Sequence, residues 1–218
     1  FHENWGATVT RLSSDPKIDN ITLQAQVEAA LRQRPDIIII GEIRSREAYA
    51  FFQALSTGHG GITTIHAESA EVLIRRLTSP PMNVPASLVG IAKLFVNIER
   101  VEREARVYRK VVRAHESLGY DAATDSVKLS PLVLWDPAAD DWHLLTKDIA
   151  LVRTIAELSV ISYEEALEDL RMRATVLEWL AEKDADVGQL YAVARAYRRN
   201  PKEVYEQAAK EVPPLKLW

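Results

Sequence analysis

The chain has 218 residues, of which 47% are hydrophobic, with no cysteine and a formal net charge of −4. This is enough apolar material for one sizeable core, or for one core and a small appendage, and the lack of cysteine excludes disulfides and thiolate metal sites. No apolar run approaches the ~20 residues of a bilayer-spanning helix, and no basic segment followed by an apolar core indicates a signal peptide. We therefore expect a cytoplasmic protein.

Charge is unevenly distributed along the chain. Residues 1–115 carry 15 Lys or Arg and 12 Asp or Glu, whereas residues 116–218 carry 12 and 19. The first part is the one in which the phosphates of a nucleotide would be met, and the second resembles a solvated accessory domain. Neither part shows the clustered basic and aromatic residues of a nucleic-acid binder, so we expect no nucleic-acid partner.

The first predicted elements are a strand over Ala7–Leu12, which ends near Arg11, and a helix from the N-cap Thr22 to Arg34. Arg32 lies in the last turn of this helix, where a cation complements the helix dipole. Arg11 reads equally well as a surface residue at a strand end or as a residue that faces a phosphate.

Four consecutive isoleucines, Ile37–Ile40, stand between Pro35-Asp36 and Gly41-Glu42. Such a run predicts a short strand buried on both faces, as in a parallel sheet. The carboxyl end of such a strand commonly presents chemical groups, here Glu42, followed by the positive charge of Arg44. Gly41 would let the backbone approach a ligand closely. The alternative is a solvated Glu and Arg at the end of a buried strand.

A helix and a second strand follow. Ser45 is the predicted N-cap of the helix, Gly58 ends it, and a strand over Gly61–Ile65 leads to His66. The connection 57–61 is glycine-rich and would allow close approach of a phosphate. One helical crossover between parallel strands brings their carboxyl ends together, so we expect Glu42 and His66 to share a site. A single His at a strand end is otherwise often structural.

Further elements follow the second strand. Ser69 is predicted to cap a short helix, and another helix covers Pro85–Lys93. Leu94–Ile98 and Val107–Val112 are predicted strands that would close the core sheet.

Beyond His115 the pattern changes. Residues 117–126 form a polar segment that predicts a linker, and residues 132–145 predict a β-hairpin. Four helices are expected after it: Asp148–Leu158, Ser162–Lys183 with a capping box at Ser162 and Glu165, Asp186–Arg198, and Pro201–Lys210. The predicted domains are therefore an α/β portion over residues 1–115 and a mostly helical domain over residues 116–218.

Two segments, PDIIIIGEIR and TGHGGITTIHA, resemble the Walker B and His boxes of the type II/type IV secretion ATPases, which assemble pili and archaella or drive secretion. The segments HENW, ALRQRPD and RRLTSPPMNVP are similar to the archaeal branch of this family, as are LWDP, RMRATVLEWL and AYRRNPKEVY near the end. The bacterial members carry a four-cysteine zinc element that the archaeal branch lacks. The cysteine-free composition agrees with the archaeal branch.

The resemblance implies the C-terminal portion of a RecA-like P-loop core with an incomplete sheet, followed by a mostly helical appendage that contains the hairpin. It implies a hexameric motor that uses ATP and Mg²⁺ at the inner face of the cell membrane, with a polytopic membrane platform protein as partner. Glu42 would polarise water and His66 would contact the γ-phosphate. The residues assigned to nucleotide binding are Arg11, Arg32, Arg44, Asp36, His59 and Gly41, of which His59 is the weaker candidate and two arginines would act in trans.

The sequence departs from the family at the phosphate cradle. A Walker A loop needs Gly followed by Lys and then Ser or Thr, and none of the eight glycines precedes a lysine. The chain thus resembles the C-terminal part of such an ATPase, beginning after its acidic Asp box, and we expect it to be inactive when isolated.

Two other functions stay open. The chain could be a non-catalytic interaction module that docks on the full ATPase or its membrane platform. It could also come from another hexameric RecA-like enzyme, such as a DNA-translocating motor, although the His motif and the TSPP stretch argue against that class.

Overall fold

The computed structural model describes residues 4–15, 17–103 and 105–213. They form two compact units, one of residues 7–148 and one of residues 149–213 with 4–6. The elements of the first unit are α1 Leu23–Arg32, β1 Ile37–Ile40, α2 Glu47–Ser56, β2 Gly60–Thr63, α3 Ala70–Thr78, α4 Ala86–Val89, β3 Leu94–Arg103, β4 Arg106–Asp121, β5 Ser126–Asp136 and β6 Asp141–Leu144. Those of the second are α5 Ala150–Ser159, α6 Tyr163–Glu182, α7 Val187–Arg199 and α8 Pro201–Ala209.

Strands β1 and β2 form a parallel pair whose register runs from Ile37 opposite Gly60 to Ile40 opposite Thr63. Helix α2 connects them, so the predicted strand–helix–strand crossover is present. The expectation that β1 is buried on both faces is wrong. Ile38 and Ile40 are buried, but Ile37 and Ile39 are 57% and 52% exposed. Alternate side chains of a strand point to opposite faces, and in the described part of the chain only one face of this sheet is covered.

Two glycines at the connection of α2 with β2 have structural explanations. A Cβ atom on Gly61 would lie 2.4 Å from Cδ2 of Leu55 and 2.7 Å from Cζ of Phe51, both on α2. Gly58 has a φ of 95° just after the helix, a left-handed conformation that glycine adopts without a steric penalty. Gly58 is thus explained by the end of α2 and Gly61 by a close helix–strand contact. The prediction that this connection lets a phosphate approach closely stays a prediction.

The N-terminal part of the first unit contains less strand than predicted. Residues 7–12 form no strand, and Arg11 makes only an isolated antiparallel bridge with Ile21. Helix α1 begins as predicted, because Oγ1 of Thr22 accepts a hydrogen bond from the Ala25 amide at 3.2 Å. A strand needs a neighbour to pair its backbone, and among the described residues this segment has one only at Arg11.

Strands β3 to β6 form a separate antiparallel sheet in sequence order. Among the described residues, β3 and β4 therefore do not join the β1–β2 sheet, contrary to the prediction that they close it. The predicted linker over 117–126 is also wrong: it is the end of β4, a turn and the start of β5. Ser117 is buried there and donates to the Gly90 carbonyl at 3.0 Å, so its polarity reflects an internal hydrogen bond and not solvation.

The predicted hairpin over 132–145 is present as β5 and β6, with Trp135 opposite Trp142. It belongs to the four-stranded sheet of the first compact unit rather than to a helical appendage. The assignment of residues 1–115 to a RecA-like portion and of 116–218 to a second domain stays a prediction, because compactness alone does not identify a domain's family.

The second unit consists of helices with well-defined starts. Ser162 and Glu165 form the predicted capping box at α6, and Pro201 is the first residue of α8. Its core contains the following buried residues: Val176, Trp179, Leu180, Tyr197, Val204, Ala208 and Val212. Within this core, the phenol of Tyr197 donates to Oδ1 of Asp169 at 2.8 Å. Burial is the main cause that raises the pKa of Tyr197, and this hydrogen bond raises it further.

Val160, just after α5, has a φ of 56° and is 91% exposed. A left-handed conformation costs an L-residue roughly 1–2 kcal/mol, and an exposed valine gains little from packing. We expect Val160→Gly to raise the free energy of unfolding by about 0.5–1 kcal/mol, measured by chemical denaturation, after the entropy cost of glycine. Val187→Gly is the control, because Val187 is 80% exposed without a positive φ. An unchanged or lower stability of Val160→Gly would contradict strain at this residue.

Candidate functional site

The candidate site lies where β1 and β2 end. Glu42 lies two residues after the end of β1, and His66 lies three residues after the end of β2. Nε2 of His66 lies 3.2 Å from Oε1 of Glu42. Because parallel strands present their carboxyl ends at one edge, the crossover through α2 brings the two side chains together. Their contact is the geometry that the sequence predicts, and their chemical roles stay predictions.

Hydrogen bonds beyond the strands hold this edge together. The Ile43 amide donates to the Thr64 carbonyl at 3.0 Å, and the Thr64 hydroxyl donates to the Gly41 carbonyl at 2.6 Å. Ile43 is 1% exposed and anchors the turn in the core of this unit. The segment that carries Glu42 is therefore fixed on both sides of this residue.

The turn into α2 is fixed in a way that the sequence analysis missed. Ser45 is not the N-cap as predicted; instead, Oε1 of Glu47 accepts hydrogen bonds from the amides of Arg44 at 2.6 Å and Ser45 at 2.8 Å. A carboxylate in the first helical turn also complements the helix dipole. Glu47 thus satisfies amides that precede the helix and holds the turn that bears Arg44.

Arg44 is the charged partner of Glu42. Its Nη2 lies 2.5 Å from Oε2 of Glu42. The Arg44 hydrogen bond is the largest effect on the carboxyl and holds the pKa of Glu42 below its usual 4.5, against the opposing effect of desolvation. Electrostatic interactions with Arg44, His66 and Arg76 lower the pKa of Glu42 further, and Glu42 in turn raises the pKa of Arg44. Glu42 is therefore an anion at neutral pH.

A carboxylate with a lowered pKa is a weak proton acceptor. Glu42 is consequently better suited to orient a water molecule and to offset positive charge than to remove a proton. Its side chain is 24% exposed, whereas those of Arg44 and His66 are 73% and 85% exposed. The arrangement is an open anion–cation cluster that a ligand can reach.

Arg76 of α3 also contacts this site, which the sequence does not predict. Nη1 of Arg76 donates to the main-chain carbonyl of His66 at 2.6 Å. A basic residue in the last turn of a helix is explained by the helix dipole alone, so the sequence carried no separate signal for this contact. Asn97 donates similarly to the Glu68 carbonyl at 3.0 Å, and the segment after His66 is thereby held at two carbonyls.

Other predicted site residues lie elsewhere in this unit. Arg11 donates from Nη2 to the Asp19 carbonyl at 3.3 Å, and Arg32 is exposed in the last turn of α1. Asp36 accepts the Gly60 amide at its main-chain carbonyl, at 2.8 Å. Among the described residues, none of the three contacts Glu42 or His66 through an ion pair or hydrogen bond. Their nucleotide-binding roles stay predictions.

His59 has local contacts that explain its position, whereas Gly41 lies in open space. Nδ1 of His59 lies 3.1 Å from the Ala54 carbonyl and 3.0 Å from the Thr57 hydroxyl, which accounts for His59 as a partner of the end of α2. A Cβ atom on Gly41 would have no neighbour within 4 Å. Packing within this unit therefore does not require glycine at Gly41, and its predicted role in close approach of a ligand remains open to test.

The chemical groups present fit only part of a nucleotide site. Within residues 4–15, 17–103 and 105–213, no group of three or more His, Asp or Glu residues could hold a metal ion. The sequence has no glycine followed by lysine for a phosphate cradle. The described helices include none that is both long and apolar enough to cross a membrane.

Comparison with known proteins identifies the family. The family described as "Type II/IV secretion system protein" matches residues 3–127. An uncharacterized protein of Methanocaldococcus jannaschii is 38% identical over 177 residues, covering 81% of this chain and 65% of its own length. A second protein of that organism is 35% identical over 183 residues, covering 81% of this chain and 32% of its own.

Two further similarities are to a type IV secretion system protein and to an ATPase of known structure. The type IV secretion system protein PtlH of Bordetella pertussis is 47% identical over 60 residues, covering 27% of this chain and 18% of its own. The Legionella pneumophila ATPase DotB aligns with a TM-score of 0.34 and 15% identity over 85% of this chain and 42% of its own. The match to residues 3–127 covers more than half of the chain and confirms the resemblance seen in the sequence. This chain belongs to the type II/IV secretion system protein family, that of the secretion ATPases.

Proposed function

We propose that this chain is part of a hexameric motor ATPase of the secretion or type IV pilus type, which couples ATP hydrolysis to assembly or export at the cytoplasmic membrane. The observation that carries the proposal is the 3.2 Å contact between His66 and Glu42 at the ends of two parallel strands. Family membership supports it. The chain spans 65% and 32% of the two Methanocaldococcus jannaschii relatives, so the whole motor includes more than these residues.

In this proposal Glu42 orients the water molecule that attacks the γ-phosphorus of ATP. The new bond forms between the water oxygen and phosphorus, and the bond to the β–γ bridging oxygen breaks, so that ADP leaves with that oxygen. One proton of the water passes to an oxygen of the transferred phosphoryl group, which leaves as inorganic phosphate. Glu42 stays an anion throughout, which agrees with its lowered pKa. His66 contacts the γ-phosphate region, and the exposed guanidinium of Arg44 offsets the negative charge that is spread over the transferred group.

The residues described here do not by themselves hold ATP or Mg²⁺, since neither a phosphate cradle nor a metal-binding group is present among them. We propose that a Walker A loop elsewhere in the whole protein holds both. Arg11 and Arg32 are exposed, and neither forms an ion pair or hydrogen bond with Glu42 in the described part of the chain. This supports a role for them across a subunit boundary, which would make hydrolysis depend on the hexamer.

The proposed partners are other copies of the full ATPase and the polytopic membrane platform protein of a pilus, archaellum or secretion machine. The protein would work at the inner face of the cell membrane without nucleic acid.

A second candidate is a non-catalytic module that docks on the full ATPase or on its platform protein. The observation that favours it is the absence of a Walker A motif from the sequence.

Calorimetric titration with Mg-ATP tests the proposal. We expect the isolated chain to bind weakly and to hydrolyse negligibly, because no group in it replaces the Walker A lysine. The complete protein, which joins this chain to a Walker A portion, should bind and hydrolyse ATP. Tight binding with turnover by the isolated chain would show that the phosphate site has been misassigned. A correctly assembled complete protein without turnover would favour the docking module.

A further inference from the structure

We propose that Arg76 is a positioning residue: by holding the main chain at His66, it sets the imidazole of that residue against Glu42. The catalytic consequence rests on the proposed ATPase function, whereas the positioning itself does not. The contact that carries the inference is the 2.6 Å hydrogen bond from Nη1 of Arg76 to the His66 carbonyl.

His66 has few other restraints. β2 ends at Thr63 and α3 begins at Ala70, so no strand or helix of its own fixes the backbone at His66. Its side chain is 85% exposed, and packing therefore does not fix the imidazole. Two contacts are left to restrain His66 itself: that of its imidazole with Glu42, and the hydrogen bond from Arg76 to its carbonyl. The second of these acts directly on the backbone of the residue that must be positioned.

The hydrogen bond suits this task chemically. A guanidinium is always charged, and its planar array of N–H groups gives directional hydrogen bonds. A charge-assisted bond to a carbonyl is about twice as strong as a neutral one. The same charge acts favourably on the Glu42 carboxylate, so Arg76 supports both members of the His66–Glu42 contact without touching the reacting atoms.

A purely structural role for Arg76 is the competing explanation. Helix α3, however, is anchored by Leu77, which is 2% exposed, and its N-terminus is capped by Ser69 at the Val72 amide. These anchors do not involve Arg76. Its neighbour Arg75 is also exposed in the same turn and makes no side-chain hydrogen bond or ion pair with a described residue, so it provides a matched control.

The first arm of the test uses solution NMR on this chain. The nuclear Overhauser effect between the imidazole protons of His66 and the Glu42 side-chain protons reports their contact. We expect Arg76→Met to lose most of this signal and Arg75→Met to keep it, with melting temperatures of both variants close to that of the unaltered chain. If Arg76→Met keeps the signal, or loses it only together with a large drop in melting temperature, the inference is wrong.

The second arm measures turnover of the complete protein. Arg76→Met should lower kcat about tenfold with little change in KM, equivalent to ~1.4 kcal/mol, and Arg76→Lys should recover part of the loss. In a His66→Ala background, Arg76→Met should have at most about a twofold further effect, because Arg76 acts mainly through His66 and only its charge acts on Glu42. An undiminished effect in that background would overturn the inference. A complete protein without hydrolysis would refute the proposed function and leave the NMR arm to decide the positioning.

Discussion

Glu42→Gln in the complete protein is expected to lower the rate of ATP hydrolysis by ~10²–10⁴-fold, the usual loss when a group that handles the attacking water is removed. Glutamine keeps the size and hydrogen-bonding reach of the side chain but lacks the negative charge, which here is held between Arg44 at 2.5 Å and His66 at 3.2 Å. Affinity for ATP should stay near that of the unaltered protein, since Glu42 does not hold the nucleotide. Turnover and nucleotide titration on the same preparations are the measurements.

Glu68→Gln is the matched control for this experiment. Glu68 is exposed close to His66 in sequence, and its described contact is through the main-chain carbonyl, which accepts from Asn97. Glu68→Gln removes a charge there, and it should leave the rate of turnover within about twofold of that of the unaltered protein. If Glu42→Gln hydrolyses ATP as fast as Glu68→Gln, Glu42 does not act on the water.

His66→Ala separates a catalytic from a structural role for the histidine. We expect turnover per folded protein to fall while the melting temperature changes little, because an 85% exposed side chain contributes little to packing. A variant that melts much earlier but keeps full turnover per folded molecule would show that the role of His66 is structural.

The effect of pH on Glu42 has a definite sign. Its pKa in the folded chain lies below 4.5, so its ion pair with Arg44 is fully present above the unfolded pKa and is lost as pH falls through the lowered folded value. Protonation of Glu42 therefore cannot account for a change in rate between pH 6 and 8. Such a change would have to come from another group.

Gly61→Ala should lower the free energy of unfolding of the first compact unit by about 1–3 kcal/mol, the usual cost of overpacking a core. The added methyl would meet Cδ2 of Leu55 at 2.4 Å and Cζ of Phe51 at 2.7 Å. Leu55 can change rotamer, but Phe51 is 2% exposed and has little room to move. Helix α2 must then shift away from β2. Chemical denaturation followed by near-ultraviolet circular dichroism measures the loss.

Gly41→Ala is the control, because a methyl there meets nothing within 4 Å. Its stability should change by less than about 0.5 kcal/mol. The same variant also tests whether a nucleotide approaches Gly41 closely: in the complete protein, a loss of ATP affinity without a loss of stability would support that role. Equal destabilisation of the two variants would show that α2 does not require the glycine at Gly61.

The short-range features of this fold were predictable from the sequence. The crossover from β1 through α2 to β2 follows from the isoleucine run, the glycines and the helical segment between them, and it places Glu42 beside His66. The capping box of Ser162 and Glu165 was equally predictable. In each case a local rule of backbone geometry determines the result.

Features that depend on distant partners were not predictable. The polarity of residues 117–126 indicated a linker, but Ser117 pairs with the distant Gly90 carbonyl and the segment joins β4 to β5. The tether from Arg76 to His66 likewise joins residues ten positions apart through a loop. Periodicity and composition describe a residue's neighbours along the chain and not those that folding brings to it.

The hydrogen bonds from the Arg44 and Ser45 amides to Glu47 reduce the entropy that this turn loses when a ligand binds. Ordering the backbone of one residue costs roughly 1–2 kcal/mol in conformational freedom. With Glu47 on one side of this turn and the Thr64 bond to Gly41 on the other, that loss occurs when the chain folds. Glu42 and Arg44 therefore meet a ligand already ordered, and the free energy of binding is not spent on arranging them. Glu47 lies outside both the Walker B and the His segments. By this reasoning it would still influence turnover, because it orders the turn that carries Arg44 before a ligand binds.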